Sequence, residues 1–226
     1  MLEPTTGPGP APGLRSAGPN KGLVNRAKDI LTTPKTEWPV IDAEPSTIQG
    51  IYVGYVAILA AIGPICLLIG SQVFGYSILG VTWRPSLGYA IGQAVISYVL
   101  SLVSVYVMAL IIDALAPNFG GTKNQLNAFK VSAYSMTAAW VAGVFSIIPM
   151  LGILGALAAI YSLYLLYLGL PVLMRVPQDK AITYVVVIIV AAILVYFVIG
   201  IIVGALTSAF FGLAGPAALG GMGSLR

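Results

Sequence analysis

The residues of this chain that could do chemistry are few and mild. Gln93, Ser97, Ser101 and Ser104 are spaced by four, four and three. At about 100° per residue they share a helical arc of about 80°. Lys130, Tyr134 and Thr137 form a second stripe, spaced by four and three. Two such stripes on neighbouring helices would line a polar path or a headgroup groove. The same residue types also act as hydrogen-bonding glue between membrane helices, and spacing alone leaves both readings open. Asp113 and Lys130 stand at facing ends of two apolar runs. They could pair, or each could snorkel to water on its own.

Stronger chemistry is missing from the sequence. There is no histidine, which removes the commonest metal ligand and the commonest general base at neutral pH. Cys66 lies inside an apolar run and reads as a small hydrophobe, because a reactive thiol needs an electropositive, partly wet site. Gly120, Gly121, Thr122 and Lys123 resemble the end of a phosphate loop but lack its upstream glycine and strand. The residues therefore predict no catalytic, cofactor or metal site, and a chain that is not an enzyme.

The elements that position these residues follow from charge. Stretches 45–83, 85–112, 131–174 and 181–225 carry no charged residue, and charged residues make up 8% of the chain. Mean hydropathy is +0.96. A charge at the bilayer centre costs about 2.5–3.5 kcal/mol, so hydrocarbon selects for such runs. The fold class predicted is all-α, an integral membrane bundle. A spanning helix needs about 20 residues, whereas the run 131–174 has 44. It must fold back, and Pro149 and Gly152 mark the reversal. Five spans result, at about 50–70, 88–112, 129–148, 151–173 and 182–206. The apolar, aromatic stretch 71–86 is expected at the interface, and a re-entrant shape is open to it.

Outside the spans, residues 1–20 form a disordered tail rich in proline and glycine with no signal-peptide core, and 207–226 a flexible glycine-rich tail. Segment 21–49 is amphipathic: Leu23, Val24, Ala27, Ile30 and Leu31 share one face, with Arg26, Lys28 and Asp29 off it. It either lies in the headgroup plane or packs on the membrane domain. Trp38 suits an interfacial anchor.

With five spans, nine lysines and arginines fall on the N-terminal side and two on the other. The positive-inside rule then makes the N terminus cytoplasmic and the C terminus exterior. Gly50/Gly54, Gly88/Gly92 and Gly200/Gly204 permit close helix approach, within one bundle or between copies. The net charge of +4 lies in loops, which argues for a membrane surface and against nucleic acid.

A resemblance joins these features. FGGTKNQLNAFKVSAYSMT (119–137), VFSIIPMLG (144–152), YSLYLLYLGLP (161–171) and ILTTPKTEW (30–38) are similar, in order and spacing, to the Yip family. These are the five-span domains named for Ypt/Rab-GTPase-interacting proteins, and the match looks closest to the bacterial branch. The resemblance covers about 22–206 and implies five helices with a cytosolic N terminus. It also implies association with lipid, with further copies or with other membrane proteins, and residence in the inner (plasma) membrane if the chain is bacterial. The long cytosolic region of the eukaryotic members is largely missing here, so the resemblance does not extend to binding a Rab-type GTPase. The expected role is membrane organisation or scaffolding. The alternative is a small transporter, channel or lipid-moving protein using the polar stripes of spans 2 and 3.

Overall fold

In a computed structural model, residues 21–78, 81–148 and 151–211 are described. Residues 1–20, Pro149 and Met150 of the predicted reversal, and residues 212–226 of the predicted tail lie outside them. Two short helices open the structure, α1 (Leu23–Thr32) and α2 (Pro34–Ala43). Pro34 begins α2, where its missing N–H costs nothing.

A long helical rod follows: α3 (Ile48–Ile51), a π-helical turn (Tyr52–Val56), α4 (Ala57–Ala60) and α5 (Ile62–Val73). The Thr47 side chain caps its start, accepting from the Gly50 amide. A two-stranded antiparallel ribbon, β1 (Tyr76–Ile78) with β2 (Val81–Trp83), leads to α6 (Leu87–Leu115). α7 (Gln125–Ser135), α8 (Thr137–Ala142) and a 3₁₀ turn (Gly143–Ile147) come next. α9 (Gly152–Leu173) and α10 (Gln178–Phe211) complete the bundle.

Among the described residues, four helical stretches are long and apolar enough to cross a membrane: Ile48–Val73, Leu87–Phe119, Gly152–Leu173 and Gln178–Leu206. The segment expected as the third span is not one continuous helix. It is divided into α7, α8 and the 3₁₀ turn, with the helix interrupted at Met136. Every residue of α7 from Ala128 to Ser135 is buried, so α7 is a core element enclosed by its neighbours. Small residues make that enclosure possible. A Cβ on Gly143 would come within 2.8 Å of the Gly63 backbone, and one on Gly70 within 2.5 Å of the Ile147 carbonyl. By contrast, Gly54, Gly88, Gly200 and Gly204 face open space, so these members of the Gly-x-x-x-Gly pairs make no close contact within the chain.

Within the stretch 71–86, α5 ends at Val73 and residues Tyr76–Ile78 and Val81–Trp83 form the ribbon. Tyr76 stacks on Trp83 at 5.9 Å between ring centres, and Trp83 meets the edge of Tyr89. Gly75, at φ 72°, makes the turn from α5 into the ribbon.

The N-terminal helices pack on the bundle and do not lie free in a headgroup plane. Ile30 and Trp38 are fully buried and Ile41 nearly so. Trp38 sits over Gly169 of α9, where a Cβ would come within 2.8 Å of its ring. Trp38 is therefore a core residue and not the predicted interfacial anchor. The Tyr161 hydroxyl of α9 donates to the Leu31 carbonyl at 2.7 Å, closing the end of α1.

Candidate functional site

Arg26 is the centre of the site, and its position corrects the sequence reading. It was placed off the apolar face of α1, yet it is 3% exposed. Its guanidinium binds the carboxylates of Glu37 on α2 and Glu44 just beyond it. Lys21 completes the cluster, donating to Asp29 at 2.8 Å and to Glu37 at 2.7 Å. Hydrogen bonds to Asp29 and Glu37 hold the Lys21 ammonium above its ordinary range. Lys21 in return holds the Asp29 carboxyl below its ordinary range. Three chain segments are thus joined by charge beneath α1.

Aromatic groups lie under this cluster. The Arg26 guanidinium is 5.8 Å from the ring centre of Tyr134 on α7, within cation–π range. Tyr134 meets Tyr55 edge-on at 4.8 Å. The Tyr55 hydroxyl is 2.7 Å from Thr137 Oγ1, and Thr137 donates to the Tyr134 carbonyl. Lys130 Nζ donates to the carbonyls of Ile41 at 2.8 Å and Glu44 at 2.9 Å. A cation there satisfies the orphan carbonyls at the C-terminal end of α2 and complements its dipole. On the rim, Arg175 binds Asp42 at 2.7 Å. A cavity of about 530 Å³ opens beside the cluster, lined by Arg26, Glu44, Ser46, Tyr55 and Tyr134 among others.

The two predicted stripes do not face each other. Lys130, Tyr134 and Thr137 point toward the N-terminal helices and the α3 rod. The opposite face of α7 meets α6, where Ser132 donates to the Val105 carbonyl at 2.9 Å. Along α6, Ser101 and Ser104 donate to the carbonyls of Tyr98 and Ser101, each at 2.7 Å. Ser97 is half-buried, and Gln93 borders a void of about 10 Å³ against α5. Asp113 and Lys130 form no ion pair. Lys130 is committed to the end of α2, and Asp113 Oδ1 is buried without a hydrogen-bond partner.

A second cavity, of about 560 Å³, lies between α6, α7, α9 and α10. Its walls are mostly apolar, with Ser104, Ser132, Ser135, Ser162 and Tyr196 the hydroxyls among them. The sequence reading missed Arg26, Glu37, Glu44 and these α7 and α9 serines. For Arg26 a signal existed. It stands three residues after Leu23 and four before Ile30, on the face those residues define.

The arrangement positions α1 and α2 against each other through Arg26, Glu37 and Glu44. Among the described residues no cluster of acidic or cysteine ligands could hold a metal. The charges of Lys21, Arg26, Asp29, Glu37 and Glu44 pair with one another, and Lys130, Arg175 and the Arg26–Tyr134 contact tie α1 and α2 to the bundle.

Bilayer-length apolar helices around a small-residue core helix define a multi-pass integral membrane protein. The pattern of the Yip1 domain matches residues 28–202, and the chain belongs to that family. It is 27% identical over 163 residues to the inner membrane protein YohC of Escherichia coli K12, covering 69% of this chain and 82% of that one. The same values hold for the protein of that name in Escherichia coli O6:H1. The inner membrane, expected for a bacterial chain, is the location these relatives carry in their names. No solved structure matches the chain significantly.

Proposed function

We propose that this is a non-enzymatic, membrane-organising protein. It acts through contacts with lipids and other membrane proteins, crosses the bilayer five times and keeps its N-terminal segment in the cytoplasm. In this reading α7, α8 and the following 3₁₀ turn make up the third crossing, enclosed by the other four. One observation carries the role: five polar side chains at the centre of the bundle are spent on internal bonds. Ser101, Ser104, Ser132 and Thr137 each donate to a backbone carbonyl. Lys130 donates to two more. A transport path needs polar groups facing a common water-filled space, whereas groups used as glue hold a scaffold together.

The test is reconstitution of the purified chain in phosphatidylcholine vesicles with and without anionic lipid. Thermal stability is followed, together with cross-linking in native membranes. Stability that responds to lipid composition, with a reproducible membrane-protein neighbour, supports the reading. Indifference to lipid with no neighbour overturns it, and so does solute flux or lipid scrambling by the vesicles.

A further inference from the structure

We propose that the cavity between α6, α7, α9 and α10 is a binding site for one acyl chain of a glycerophospholipid, with Ser135 donating to its ester carbonyl. The inference deepens the membrane-organising reading by naming the lipid group that the bundle holds. Three observations support it.

The first is depth. The cavity follows α6 from Ile112 to Ser104 and α10 from Ile188 to Tyr196. Each is about 12 Å of helix within a bilayer-length element. The space therefore lies in the hydrocarbon, where the surrounding solvent is acyl chain.

The second is shape and lining. About 560 Å³ is the size of a ligand pocket. The mostly aliphatic walls hold ordered water poorly, since a water needs two to four polar partners and Ser104, Ser132 and Ser162 are already bonded. Leu163, Ile193 and Tyr196 line the space yet are 37%, 62% and 45% exposed. They form a rim that opens sideways to lipid. A bilayer fills such a crevice from the side with a chain end, without desolvating a charge.

The third is a hydroxyl with nothing to bond. Ser132 donates to Val105, Ser104 to Ser101, and Ser162 accepts the Ala139 amide at 3.2 Å. Ser135, 4% exposed and in the same wall, has a buried Oγ with no partner. A buried hydroxyl ordinarily finds an acceptor. Ser135 lies five residues beyond Lys130, about 7.5 Å along the helix. Lys130 belongs to the charged end of the bundle, so Ser135 lies inward of it. One chain running inward from there, with its carbonyl on Ser135, meets all three features.

The experiment uses the full chain in phosphatidylcholine vesicles containing a few per cent of phosphatidylcholine with a photoactivatable acyl chain. Adducts are mapped by peptide mass spectrometry. The expected result is preferential labelling of the cavity wall at Met136 and Ala139 over the outward-facing Val99 and Ile153, by several-fold. Ala192→Phe, which fills the space, removes that preference and leaves outer-face labelling unchanged. Ser135→Ala lowers cavity labelling by the ester-linked probe and leaves labelling by an ether-linked probe unaltered. Equal labelling of wall and outer face overturns the site, as does labelling indifferent to Ala192→Phe. Selective labelling with identical ester and ether behaviour in Ser135→Ala overturns the carbonyl assignment. None of these readouts involves a protein neighbour or a response to anionic lipid, so failure here is distinct from failure of the membrane-organising role.

Discussion

Replacing Arg26 by methionine keeps much of the side chain's bulk and removes its charge. In the native protein the guanidinium side chain is 4% exposed and binds Glu37, also 4% exposed, and Glu44, 17% exposed. Without it, two carboxylates remain in a site built for their neutralisation, and Lys21 reaches only Glu37. Breaking a buried pair by removing one partner costs about 3–5 kcal/mol, which is about two to three and a half decades in the docking equilibrium of α1 and α2. Hydrogen exchange at the α2 amides reads that equilibrium directly, because undocking exposes them while the membrane helices stay folded. Arg26→Met should raise α2 exchange by about that factor, with α9 exchange unchanged beyond Gly169. Adding Glu37→Gln removes one stranded carboxylate, so the double variant should lose less than the sum of the single losses. An Arg26→Met cost below about 1 kcal/mol, the value of an exposed pair, would refute the argument. Additive losses in the cycle would do the same.

Lys130→Met strands the Ile41 and Glu44 carbonyls and should cost about 1–3 kcal/mol in the same exchange assay. Gly70→Ala forces a Cβ to within 2.5 Å of a backbone carbonyl and should lower the thermal midpoint in detergent. Gly200→Ala, in open space, should leave it unchanged or raise it slightly, the glycine's entropic penalty being about 0.5–1 kcal/mol. The Lys21–Asp29 pair sets a pH window. Asp29, held low, contributes above its unfolded value near pH 4 and loses that contribution on acidification through its folded value. Lys21, held high, contributes below its unfolded value near 10.4 and loses it only at higher pH. Docking of α1 should therefore be flat between about pH 5 and 9 and weaken below about pH 4, followed by exchange-corrected protection or by proteolysis after Lys28. In a Cys66→Ser background, Lys28→Cys in intact cells should resist a membrane-impermeant maleimide and react after lysis, as a cytoplasmic N-terminal segment requires.

The helices were legible because hydrocarbon permits so few residues. The empty charge map from Pro45 to Trp83, and again from Pro85 to Ile112, shows where long rods lie without reference to packing. The interruption at Met136 was not legible. Helix continuity there depends on what encloses α7, and the residues of α7 look like those of any small-residue span. Site residues were partly legible. Lys130, Tyr134 and Thr137 do share a face, but spacing cannot say which neighbour the face meets, and it meets the N-terminal helices instead of α6. Arg26 was misjudged because charge was read as a sign of solvent, when two carboxylates, eleven and eighteen residues on, were waiting to neutralise it. Ser135 gave no sign in the sequence, since an unbonded hydroxyl is defined by what its neighbours fail to offer.

Trp38 resting on Gly169 links residues 131 positions apart. Tyr161 bonding Leu31 and Arg175 bonding Asp42 span almost the same distance. Helices α1 and α2 are therefore made well before the surface of α9 that they cover. Until α9 is inserted, Trp38 and Ile41 have no surface to cover and Glu37 has no reason to be dry. A chain halted before α9 carries an exposed apolar helix pair at its leading end, a flag that a protease or chaperone can read. Insertion of α9 hides that flag, so the buried Trp38 records that the chain has been made at least as far as Gly169.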